Sequence, residues 1–125
     1  MFVRGIRGAT TVEHNEAAEI LTATTELLNQ IIAENSIIPE EIASIFVTVT
    51  TDVTATFPAA AIRAMPGWEL VPLMCSLEVP VVGSLPLCIR LMVMVNTEKK
   101  QDEIVHVYLR EAMRLRPDLS KLTKA

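Results

Sequence analysis

The run Leu85-Pro86-Leu87-Cys88-Ile89-Arg90-Leu91-Met92-Val93-Met94-Val95 places one guanidinium in a strongly apolar stretch, and no other charge lies between Glu78 and Glu98. Arginine stays protonated at physiological pH, so it cannot leave a dry site by losing its charge. Burying it unpaired is very costly. The fold must therefore bring Arg90 a negative partner, either a carboxylate of the chain or an anionic ligand. A second arginine has similar surroundings, Arg7 in Phe2-Val3-Arg4-Gly5-Ile6-Arg7-Gly8-Ala9-Thr10-Thr11. Two arginines on apolar strands of so small a chain point to a pocket for an anionic molecule. The alternative is that Glu78 or Glu69 answers one of them in an internal ion pair.

The 125 residues read as one domain, 1–125, long enough for its own core. Half of them are apolar but only 4% are aromatic, and the mean hydropathy is positive. The surplus is read as apolar surface reserved for a subunit interface. A net charge of −4 argues against nucleic acid as a partner, so an anion site must be a local concentration of arginine. Cys75 and Cys88 form no disulfide framework and no metal-binding spacing. The N-terminus lacks a basic-then-apolar leader. Val79–Val95 is interrupted by Pro80, Gly83, Pro86 and Arg90, and falls short of the ~20 residues a membrane helix needs. A cytoplasmic protein with no membrane association is expected.

Alternation predicts strands over 2–11, 44–51, 70–79, 87–95 and 104–109. In the first, Val3, Gly5 and Arg7 share one face while Arg4 and Ile6 share the other. The strand 87–95 is apolar enough to be buried on both faces. In the last, His106, Tyr108 and Arg110 oppose Val105, Val107 and Leu109, which puts Tyr108 on the wetter side. Ala17, Ile20, Leu21, Leu27, Leu28, Ile31 and Ile32 follow helical spacing and predict an amphipathic helix over 16–34, with Asn15 as N-cap. Pro39 starts a short helical turn, and Pro58–Met65 is a short helix stopped by Pro66-Gly67. The order β-α-β-α-β-β-β makes an α+β domain, a mixed β-sheet with helices on one side. Its other face is apolar enough to pack against further copies.

Arg7 and Arg90 suit a bidentate clamp on a carboxylate or another anionic oxygen. Glu78 is either an exposed strand-end carboxylate or an acceptor for a ligand hydroxyl. Cys75 has opposite strand parity to Glu78, so both reach one pocket only if the strand bends or ends there. Tyr108 alone reads as an amphipathic cover, Arg63 and Arg116 as solvated surface arginines, and Phe57 as a staple for the helix after it. The methionines read as core filler. His14 and His106 do not make a metal site by themselves, and no nucleophile elbow or glycine-rich phosphate loop is present. What remains suits anion binding, or a reaction that needs only positioning and charge stabilisation.

Val3-Arg4-Gly5-Ile6-Arg7-Gly8-Ala9-Thr10-Thr11-Val12-Glu13, Phe57-Pro58-Ala59, Cys88-Ile89-Arg90, and His106-Val107-Tyr108-Leu109 with Leu115-Arg116-Pro117-Asp118-Leu119 resemble the small trimeric bacterial chorismate mutases. The likeness runs from about residue 2 to 119. It implies a trimer with sheets packed around a central axis as a pseudo-barrel, and active sites in clefts between neighbours. It implies the Claisen rearrangement of chorismate to prephenate, in aromatic amino acid biosynthesis, with no cofactor, no metal and no covalent intermediate. By resemblance Arg90 meets the ether oxygen, Arg7 a substrate carboxylate and Glu78 the ring hydroxyl. Cys75 and Tyr108 hydrogen-bond substrate. Phe57, Ala59 and Arg63 form a wall from the adjacent subunit, and Leu115 and Arg116 belong to a C-terminal tail, about 115–125, that closes the cleft. Ala60 stands where some relatives carry a lysine, which removes one positive charge near the mouth. The competing reading is a non-catalytic trimeric module that binds a small carboxylate ligand between subunits.

Overall fold

The computed structural model describes residues 1–115; Arg116 and the tail after it lie outside the described residues. The elements are β1 (Phe2–Thr11), α1 (Ala17–Asn35), β2 (Ile42–Val49), α2 (Ala59–Arg63), β3 (Leu73–Leu77), β4 (Cys88–Thr97) and β5 (Val107–Tyr108). Short 3-10 turns cover Pro39–Glu41, Gln101–Glu103 and Arg110–Arg114. The expected α+β order holds. The sheet is mixed, with strand order β3-β2-β4-β1-β5. β4 runs antiparallel to both neighbours, β1 and β2, while the outer pairs β2–β3 and β1–β5 are parallel.

α1 covers one face of this sheet. Its stripe of Ile20, Leu27, Leu28 and Ile31 is fully buried against Ile6, Ile45, Val47, Ile89, Val93 and Val107. Each such side chain stabilises the fold by about 1.5–3 kcal/mol relative to exposure. Gly8 permits the close crossing, since a Cβ there would stand 2.5 Å from Ile31 Cδ1. The stripe holds two polar residues that hydrophobic spacing does not pick out. Thr24 Oγ1 donates back to the Ile20 carbonyl, and Asn35 is 1% exposed. Asn15 does not cap α1. Its Oδ1 accepts from the Thr54 and Ala55 amides and ties the loop after β2 to the start of the helix, and Glu16 takes the cap position.

Two strand expectations change. β4 is not buried on both faces: Ile89, Leu91, Val93 and Val95 are buried, whereas Met92 and Met94 are half-buried and Arg90 is exposed. Among the described residues helices lie on one side only, so the apolar character of β4 exceeds what those residues cover. The opposite face shows Val3, Phe46 and Met74 to solvent. The strand expected over 104–109 contracts to Val107–Tyr108, because the chain at Val105 is drawn aside. Asn35 Nδ2 donates to the Val105 carbonyl at 2.8 Å, and Asn35 Oδ1 accepts the Val105 amide at 2.9 Å.

Asn35 thus satisfies both backbone groups of Val105 and also donates to Ile31 O. Asn35→Ala is expected to lower unfolding free energy by about 2–4 kcal/mol, because it strands polar groups as well as losing bonds. Urea denaturation with the midpoint and slope fitted separately checks this, and an unchanged midpoint would show that water replaces the amide.

Candidate active site

Register assembles the site on the uncovered face. Arg90 on β4 stands opposite Ala9 on β1 and Thr48 on β2. Thr48 stands opposite Ser76 on β3, and Ala9 opposite Tyr108 on β5. One row of residues therefore crosses the whole sheet, Ser76–Thr48–Arg90–Ala9–Tyr108. Two residues along each strand lies a second row on the same face, Met74–Phe46–Met92–Arg7. Arg7 and Arg90 come from strands far apart in sequence and are brought side by side by the antiparallel pairing of β1 with β4.

The two rows floor a cleft of about 490 Å³ whose lining includes Arg7, Thr48, Glu78, Arg90, Tyr108 and Leu115. Glu78 follows the end of β3, its amide held by the Val49 carbonyl at 2.8 Å. Its carboxylate accepts a hydrogen bond from Thr48 Oγ1 and lies 3.6 Å from Arg90 Nε. The alternative raised from sequence, a carboxylate answering Arg90, is therefore realised in part. The pair is no core ion pair: the Arg90 side chain is 44% exposed and that of Glu78 22%. Such a half-wet pair contributes only ~0–1 kcal/mol to stability. Arg7 forms no ion pair among the described residues.

The segment leading into β4 is held at a backbone cost. Leu87 has a φ of 51°, a left-handed conformation that a branched side chain disfavours. Its amide donates to both oxygens of Asp52, at 3.1 and 3.0 Å, and its carbonyl accepts from Val12. The next amide, that of Cys88, donates to Thr50 Oγ1. These anchors fix the strand two residues before Arg90.

Tyr108 corrects the expectation of a wetter face. It is 3% exposed, packed with Ala9 and Ala112, and its hydroxyl is buried with no partner among the described residues. A buried hydroxyl without an acceptor is costly, and such groups mark places where a ligand completes the bonding. Cys75 keeps the parity opposite to Glu78. It lines a different cleft of about 560 Å³ with Phe57, Pro58, Val49 and Leu77. Phe57 is 70% exposed and so is no helix staple. Ala59 is packed in the core, Arg63 is exposed on α2, and Ala60 faces a groove beside α1. Within one chain, then, Arg7, Glu78, Arg90, Tyr108 and Leu115 meet, and Cys75 meets Phe57 elsewhere. Sequence reading missed Thr48. Strand parity with Phe46 would have placed it on the open face, but nothing local marks it as the partner of Glu78.

His14, Glu16 and Glu19 bring ligand atoms within 4.8 Å of one another at the start of α1. Glu19 is already engaged by the Glu13 and His14 amides, and the first of these holds its carboxyl below the usual range. Among the described residues no helix is long and apolar enough to cross a membrane.

The chain belongs to the chorismate mutase type I family, whose model matches residues 3–119. The chorismate mutase AroH of Bacillus subtilis is 50% identical over 124 residues, covering 99% of this chain and 97% of the relative. The AroH chorismate mutase of Thermus thermophilus is 52% identical over 118 residues, covering 94% and 96%. The solved chorismate mutase from Clostridium thermocellum superposes with a TM-score of 0.85 at 48% identity, over 88% of this chain and 97% of that one.

Burial pushes the Cys88 thiol up, with Arg90 opposing. A raised thiol holds less thiolate at a given pH, and thiolate is the reactive form. In a Cys75→Ser chain, Cys88 of the native protein is expected to react with a disulfide reagent at pH ~8 roughly 100-fold slower than after unfolding. Equal rates would mean that the thiol is either open to solvent or ionised.

Proposed function

We propose that this protein is a chorismate mutase acting as a cytoplasmic homotrimer, with Arg7, Glu78 and Arg90 at the reacting substrate. The observation that carries the reading is the cleft in which Arg90, paired to Glu78 through Nε, stands beside an Arg7 that has no counter-charge among the described residues, in a member of this family. In the rearrangement of chorismate to prephenate the ether C–O bond breaks while a C–C bond forms. The electrons move in one cycle within the substrate. No proton or electron leaves it, so the reaction calls for no acid, base or redox group. It calls for a folded substrate conformation and for positive charge where the ether oxygen becomes negative.

Arg90 supplies that charge. The Nε contact to Glu78 leaves its terminal nitrogens to the substrate. A fixed cation there stabilises the transition state more than the ground state and so raises kcat. Arg7 takes a substrate carboxylate. Glu78, oriented by Thr48, accepts from the ring hydroxyl. The unpartnered Tyr108 hydroxyl donates to substrate oxygen. These contacts also hold the substrate in the compact, reactive shape.

The separate Phe57–Cys75 cleft and the apolar outer sheet face support a site completed between subunits. Phe57 and Cys75 of one chain lie against the Arg7–Arg90 cleft of the next, with Arg63 at the rim and Ala59 holding the Phe57 segment from the core. Leu115 already lines the cleft, and Arg116, which lies outside the described residues, is assigned a further contact to substrate in this reading.

Arg90→Ala is expected to lower kcat on the order of 10³-fold, about 4 kcal/mol, with unchanged circular dichroism. Loss of chorismate absorbance, with prephenate identified as product, checks this. A mutant within tenfold of the parent would move the ether contact to another residue, and no turnover by well-folded parent would leave the carboxylate-binding module. Sedimentation equilibrium is expected to return the mass of three chains of 13.8 kDa. Full activity at the mass of one chain would place the complete site in a single subunit.

A further inference from the structure

β5 ends earlier than the sequence pattern asks, and the place where it ends lies beside Arg7. Parallel pairing of β5 with β1 begins at Gly8 opposite Val107. One step earlier, the Arg7 amide points toward the residue before the strand. The Val105 carbonyl is engaged by Asn35. The Arg7 amide instead donates to His106 Nδ1 at 2.9 Å. An imidazole thus extends the β1–β5 ladder by one rung. A backbone N–H only donates, so this contact requires the neutral ring with its proton on Nε2.

We propose that His106 is a positioning residue for Arg7, fixing the backbone from which the Arg7 side chain reaches the substrate carboxylate. The inference rests on the mutase reading and extends it by one residue. β1 at Arg7 has β4 on its inner side, opposite Met92, and among the described residues the His106 contact holds its outer side just before the ladder starts. Without that bond the outer side of the strand is free to shift where the side chain must be held.

The test compares the parent with His106→Ala and His106→Asn, whose Oδ1 accepts as Nδ1 does. At neutral pH, His106→Ala is expected to raise KM for chorismate roughly fivefold with kcat within about twofold, and His106→Asn to regain most of that loss. Amide exchange at Arg7, followed by NMR, is faster in His106→Ala than in the parent or His106→Asn. An unchanged KM in the alanine variant overturns the proposal, as does an asparagine variant no better than alanine. Unchanged Arg7 exchange overturns it without any reference to substrate. A parent that does not turn over chorismate sinks the functional reading, while the exchange measurement still decides the contact.

Discussion

β4 lies between β1 and β2 in antiparallel register, and Arg7, Thr48 and Arg90 take their places in the cleft from that pairing. The register puts Arg90 level with Ala9 and Thr48 and Met92 level with Arg7. A slip of one residue on β4 would turn Arg90 toward α1, into a core with no group to meet its charge. The fully buried Ile89, Leu91 and Val93 resist such a slip, because the same slip would turn them out. The packing that stabilises the domain is therefore also what aims the guanidinium.

The polar groups around this frame act on local geometry more than on stability. Asp52 and Thr50 hold the amides of Leu87 and Cys88 just before Arg90. Thr48 and Arg90 hold Glu78 at the end of β3. Asn35 draws Val105 away from the sheet, and His106 fills the gap beside Arg7. Each of these bonds is worth about 1 kcal/mol, a small part of folding but enough to fix a side chain within the tolerance that charge stabilisation needs. Tyr108 shows the complementary case, a buried hydroxyl at the cleft that no described residue satisfies.

The sheet has one finished face and one unfinished face. α1 seals the first. The second carries Val3, Phe46 and Met74 in the open, together with two arginines and a carboxylate. An apolar face of this kind with an internal patch of charge suits association around a bound anion. Val3, Phe46 and Met74 stand exposed there because the described residues cover β4 on one side only.

Hydrophobic periodicity alone was sufficient for the order of strands and helices and for the face on which Arg7 and Ile6 lie, because side-chain alternation is a local property of the backbone. The anomaly of Arg90 was equally plain, since a charge in an apolar run is visible without a fold. The family's motifs, at both ends of the chain, were legible as well. Tertiary structure alone decided that Glu78 is the partner of Arg90, that Cys75 and Phe57 occupy a separate cleft, that Tyr108 is buried and that β5 is two residues long. Those outcomes depend on which strands become neighbours and on which backbone groups Asn35, Asp52 and His106 capture. Such pairings join residues 30 to 99 positions apart, as in Thr48 with Glu78 and Arg7 with His106, and no local pattern encodes them.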